Sequence, residues 1–242
     1  MKSFALSALS ALVATFAMGP AHAEVITQWT FNSTTPDGST ATGSALPSVG
    51  TGSLSLIGGV TTPSFNSGVG SSDPAASDNS GLQTTTYGAQ GSGNNARGLE
   101  VKVDATRFED IVFSYDLRHS NTSSRYELAQ YSLDGVNFID YAVFDSGLGD
   151  TWFNARTIDL SSVAGADHNA NLAFRVVATF APSTSGYLAS DASKTFSGSG
   201  TWRFDMVTVS GTVAAVPEPT SAAAGLAGLA AIGFLARRRR AA

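Results

Sequence analysis

The chain has 242 residues, with 14 Lys and Arg against 19 Asp and Glu, and no cysteine. Missing thiols exclude disulfides, cysteine nucleophiles and thiolate metal sites, so the fold must hold without covalent staples. Lys2 and Arg237 to Arg240 sit at the two ends, which leaves Glu24 to Val216 with 18 acidic and 9 basic residues. A domain so acidic has no electrostatic means of gripping nucleic acid or an anionic bilayer.

At the front, Lys2 supplies a charged start, Phe4 to Met18 an apolar core, and Ala21-His22-Ala23 a small-x-small cleavage site. Residues 1–23 therefore read as a secretory signal peptide, cut after Ala23, with an apolar core too short to span a membrane itself. His22 leaves with that peptide.

The domain, residues 24–214, is expected to be all-β. Val25 to Phe31 reads as an opening strand with Trp29 and Phe31 on one face. From Asn32 to about Asn95, Ser, Thr, Gly, Asn and Pro dominate, so this stretch is expected to be loops with one or two short strands around Leu54 to Ile57 and Phe65. Leu99, Val101 and Val103 then alternate with polar residues, as do Ile111, Phe113, Tyr115 and Leu117. Arg125 to Ser132 switches its apolar face between Leu128 and Tyr131, which predicts a bulge near Ala129 or Gln130. Asp134-Gly135 predicts a type I′ hairpin, with the return strand running from Val136 to about Phe144.

Gly147 and Gly149 open a loop, and Asn154 to Leu160 reads as a further strand. Leu172, Phe174, Val176, Ala178 and Phe180 share one face of the next, and Trp202, Phe204 and Met206 one face of the last, Thr201 to Val213. Seven to nine antiparallel strands without a helix predict a two-sheet sandwich.

Behind this domain the chain reads Val216-Pro217-Glu218-Pro219, then an uncharged run from Thr220 to Ala236, then Arg237-Arg238-Arg239-Arg240. The prolines can neither continue a helix nor join a central strand, so they make a stiff break. The apolar run would form a single short transmembrane helix, roughly 25 Å long, whose arginines mark its cytoplasmic end.

Pro-Glu-Pro, a short hydrophobic helix and a basic cluster, in that order over 215–242, resemble the PEP-CTERM sorting signal. The resemblance implies a bacterial protein of the Gram-negative type, exported by the secretion machinery, held briefly in the inner membrane, and processed by an exosortase near the motif. It then implies delivery to the cell surface or extracellular matrix. The Tyr131–Phe138 hairpin, the Ala173–Val176 strand and the Trp202–Gly211 stretch look like the jelly-roll domains of exported bacterial proteins, which are often lectin-like.

No catalytic constellation emerges. The carboxylates are spaced as solvated turn residues, and His119 and His168 both stand in polar, loop-like sequence with no nucleophile elbow or metal spacing around them. A non-enzymatic surface or matrix protein is therefore expected, with a carbohydrate-binding module on exopolysaccharide as the alternative and a polysaccharide hydrolase behind both. For sugar stacking, Trp152 after Gly149-Asp150 is the foremost candidate, with Tyr87 and Tyr187 in similar contexts. Jelly-roll modules often carry a structural calcium near the first and last strands, which singles out Asp205 with a partner near Asn32.

Overall fold

The structure is a computed structural model that describes residues 22–213. Residues 1–21 of the expected signal peptide, Ala21 among them, and Pro217, Glu218, Pro219, Arg237, Arg238, Arg239 and Arg240 with the expected membrane helix, lie outside the described residues, whereas Ala23, beside the expected cleavage point, is described. Among those described there is no helix long and apolar enough to cross a membrane.

Twelve strands form two antiparallel sheets: β1 (Ala23–Trp29), β2 (Val49–Gly50), β3 (Ser53–Ile57), β4 (Thr61–Ser67), β5 (Ser80–Thr85), β6 (Gly98–Val103), β7 (Phe108–His119), β8 (Tyr126–Ser132), β9 (Ile139–Asp145), β10 (Thr151–Asp159), β11 (Leu172–Thr179) and β12 (Trp202–Val213). A seven-stranded sheet runs β10-β7-β12-β1-β2, with β5 also on β12 and β4 on β5; a five-stranded sheet runs β3-β6-β11-β8-β9. The all-β, two-sheet expectation is met.

The alternating runs face each other across the interior. Leu99, Val101, Val103, Leu172, Phe174 and Val176 from one sheet meet Phe113, Tyr115, Leu117, Trp202 and Phe204 from the other, all buried. Phe113 and Phe174 stack across the two sheets with centroids 4.7 Å apart. Each fully buried large apolar side chain contributes roughly 1.5–3 kcal/mol, which is how a chain without disulfides holds together.

Several local expectations are corrected. The Ser/Thr-rich region contains four strands, β2 to β5, instead of one or two. The opening strand stops at Trp29, because Phe31 takes a left-handed backbone (φ 57°) to turn its ring into the core. The face switch near Ala129 coincides with a register shift against β9, but the extra residue is Tyr141 on β9, and β8 pairs with β11 without interruption. The Asp134-Gly135 turn is a longer loop: the Asp134 carboxylate accepts bonds from the Val136 and Asn137 amides, and β9 starts only at Ile139. Only Gly135 there has positive φ, so the turn is not type I′. Met206 does not share a face with Trp202 and Phe204, because a bulge at Met206 (φ 46°) hands the core to Val207 and Val209.

Strand β12 organises the larger sheet. One of its edges lies along β7; the other is shared, with β5 pairing at Trp202–Phe204 and β1 at Val207–Thr212. Its last residues therefore run beside the first residues of β1, and Thr212 pairs with Ala23.

Candidate functional site

The polar outer face of the larger sheet carries two buried carboxylates, Asp116 on β7 and Asp205 on β12, as direct cross-strand partners. Strand parity dictates this placement, since Tyr115, Leu117 and Phe204 face the core and their neighbours must face away. Each carboxylate stands beside a bulge. Asp116 Oδ1 accepts the Ala155 amide (2.8 Å) at the β10 bulge, and Asp205 Oδ1 accepts its neighbour Met206's amide (2.8 Å) at the β12 bulge. Bulges strand amide groups outside the ladder, and these oxygens satisfy them.

The loop between β4 and β5 closes over the pair. The Ser72 amide donates to Asp116 Oδ2 and the Ser71 hydroxyl to Asp205 Oδ2 (2.7 Å). Burial, reinforced by the nearby Asp73 and Asp116 carboxylates, outweighs these bonds and pushes Asp205 up to about 8. A Cβ at Gly68 would collide with Asn79 Oδ1 and stand 2.6 Å from Asp205 Oδ2, so those two oxygens flank one point. The Asn79 oxygen is buried and has no hydrogen-bond partner.

Asn32 reaches the same loop by another route. Its amide nitrogen donates to Asp73 Oδ2 (2.8 Å) and its oxygen accepts the Ser80 amide (2.8 Å). Among the described residues no group of three or more His, Cys, Asp or Glu is gathered to hold a metal.

Trp152 lies in β10, one residue into the strand, not in the preceding loop. Its indole N–H donates to Val69 O (3.0 Å), and Asn154 beside it donates to Gly70 O (3.0 Å), which clamps the same covering loop. The ring is half-buried. Tyr87 and Tyr187 are core residues at 1% exposure: Tyr87 packs 4.6 Å from the Trp202 ring, Tyr187 4.5 Å from that of Phe196. An open depression near Lys102, Asp104, Asp134 and Asn171 carries no aromatic ring.

Both histidines were expected in loops. His168 is in one and is exposed, but His119 ends β7 and is completely buried. Its Nε2 is 3.0 Å from Glu127 Oε2, while Glu127 Oε1 is 3.2 Å from Arg156 Nε. Ser146 Oγ donates to Glu127 Oε2 (2.9 Å), and His119 Nδ1 lies 2.8 Å from the Ser124 carbonyl. Nδ1 is hydrogen-bonded to that carbonyl, whereas Nε2 lies at ion-pair distance from Glu127 outside hydrogen-bond alignment. Glu127 belongs to the smaller sheet, on β8, and His119 and Arg156 to the larger, on β7 and β10, so the cluster pins one sheet to the other. The serine contacts the glutamate and not the histidine, and His119, Glu127 and Ser146 are fully buried, so they lack the serine–histidine contact and the access that nucleophilic catalysis needs.

Beyond Val213, the last described residue, residues 215–240 match the family model of the PEP-CTERM protein-sorting motif. The chain carries a PEP-CTERM sorting motif. That motif implies an exosortase as the processing partner, and export with passage through the membrane. The PEP-CTERM match covers the tail alone, and no curated protein matches the chain.

Proposed function

We propose that this is an exported, non-enzymatic protein of the cell surface or extracellular matrix, whose β-sandwich is the cargo and whose tail is its address. The observation that carries the reading is the PEP-CTERM match at 215–240, which begins two residues after the sandwich's final strand. The burial of His119 and Glu127 and the bulge-binding role of Asp116 and Asp205 support a structural use of the domain's charged groups. In this reading the signal peptide is cut after Ala23, and an exosortase then cuts near Pro217-Glu218-Pro219 while the apolar run and its arginines hold the chain in the inner membrane.

The test follows the chain's mass and location on a blot after cell fractionation. Replacing Glu218 by Ala, or deleting Arg237 to Arg240, is expected to leave uncleaved precursor in the inner membrane. Normal processing of both variants would overturn the reading.

A further inference from the structure

A second pair of acidic side chains lies away from the Asp116–Asp205 pair, where the loop after β1 meets the start of β5. We infer that Asp37 and Asp78, together with the carbonyl oxygens of Ser39 and Thr42, bind one hard divalent cation, calcium by the chemistry of the set. The two aspartates are 41 residues apart in sequence, yet their carboxylates stand within hydrogen-bonding reach of each other.

The decisive member is Asp78. It is 4% exposed, and neither of its carboxylate oxygens has a partner. A buried carboxylate with no donor is costly, more so beside a second carboxylate. Its backbone lies in the left-handed region (φ 62°), which aspartate and asparagine adopt more readily than other non-glycine residues.

The surrounding bonds show a surplus of acceptors. Asp37 Oδ1 takes the Ser39 amide (2.8 Å) and Asp37 Oδ2 the Thr42 hydroxyl (2.7 Å). The same Thr42 hydroxyl faces Ser39 O (3.0 Å), although it has a single hydrogen. The fully buried Ser80 hydroxyl faces both Thr42 O (2.8 Å) and Ser39 O (3.5 Å), again with one hydrogen for two acceptors. Three donors therefore serve four carboxylate and two carbonyl oxygens. A cation supplies the missing positive charge without needing any further hydrogen.

Two carboxylates, two carbonyls and a hydroxyl make an all-oxygen set on irregular loop geometry, which suits calcium with waters filling its remaining positions. Magnesium asks for near-ideal octahedral geometry and prefers to keep its own waters. The bound ion would tie the loop after β1 to β5, and so stabilise the region that the sequence leaves poorest in apolar residues.

Calorimetric titration of the purified full-length chain, stripped with EDTA, tests this with Ca²⁺ and separately with Mg²⁺, alongside thermal melts in excess Ca²⁺ and in EDTA. One Ca²⁺ per chain is expected. At about a hundredfold excess over Kd, the melting midpoint should rise by roughly 5–10 °C, with little response to Mg²⁺. D37N and D78N should lose the uptake and the shift and, in EDTA, melt no lower than the unaltered chain, since each removes one of two crowded carboxylate charges; asparagine tolerates the left-handed backbone at 78. Asp37 is exposed, so D37N decides the matter even if D78N does not fold. D205N should still bind. The inference is overturned if the unaltered chain takes up no Ca²⁺, if D37N binds as well as the unaltered chain, or if D205N abolishes binding that D37N retains.

Discussion

Replacing Asp205 by asparagine should make the protein more stable, by an amount that grows with pH. An ordinary aspartate releases its proton near 3.8, whereas burial lifts Asp205 to about 8. Between those values the folded chain keeps a proton that the unfolded chain has given up. The unfolded state then binds fewer protons, so stability falls as pH rises, by about 1.4 kcal/mol per pH unit for a fully protonated group. Above about 8 both states are ionised and the loss stops growing. Over the whole window the ceiling is on the order of 5 kcal/mol, and relaxation around the loop should bring the observed figure down to a few. The D205N side chain would carry no such penalty, and its oxygen can still accept the Met206 amide. Urea denaturation of both proteins in EDTA, at about pH 5, 6, 7 and 8, reads the effect directly. The stability gap should move in favour of D205N by roughly 1 kcal/mol per pH unit. A gap that stays constant from pH 5 to 8 would mean that Asp205 is ionised inside the fold, and the reasoning would fail.

Glu127→Ala leaves His119 and Arg156 facing a buried void in place of a carboxylate; a loss of about 3–5 kcal/mol is expected by urea denaturation, and less than ~1 kcal/mol would show that the cluster does not pin the sheets. Trp152→Ala removes the clamp on Val69, so limited proteolysis should cut the 68–73 loop several-fold faster while far-UV circular dichroism stays unchanged. An unaltered cleavage rate there would show that Ser71, Ser72 and Asn154 hold the loop unaided.

The strands readable in the sequence were those with one clean buried face. Leu99 to Val103, Ile111 to Leu117 and Leu172 to Ala178 fill the core as their alternation implies. Strand β5 escaped because its inward positions are not all apolar: Ser80 and Thr84 are fully buried beside Leu82, with hydroxyls bonded to Thr42 O and to Tyr87 and Trp202 O. Composition reads such residues as loop, whereas their hydrogen bonds make them core. Met206 was misplaced because a bulge shifts parity by one, and nothing at Asp205-Met206-Val207 announces a bulge.

The candidate sites were less legible still. Asp205 attracted attention in the sequence, yet its neighbours Ser71 and Asn79 lie more than a hundred residues away. His119 looked exposed because Ser120, Asn121 and Thr122 follow it; its partner Glu127 is contributed by the opposite sheet. Asp37 and Asp78 form no motif at all, because a pair assembled by strand order has no fixed spacing to recognise.

The pairing of Ala23 with Thr212 puts the way in and the way out of the sandwich on touching strands, at one pole. The twelve residues of β12 then cover roughly 36 Å to Trp202 at the opposite pole, where His119 and Trp152 also end up. A molecule moored by residue 213 therefore turns one crown of loops outward, the segments around 120–125, 146–150 and 181–200. That crown is the end of the sandwich farthest from the strand that leads into the sorting motif.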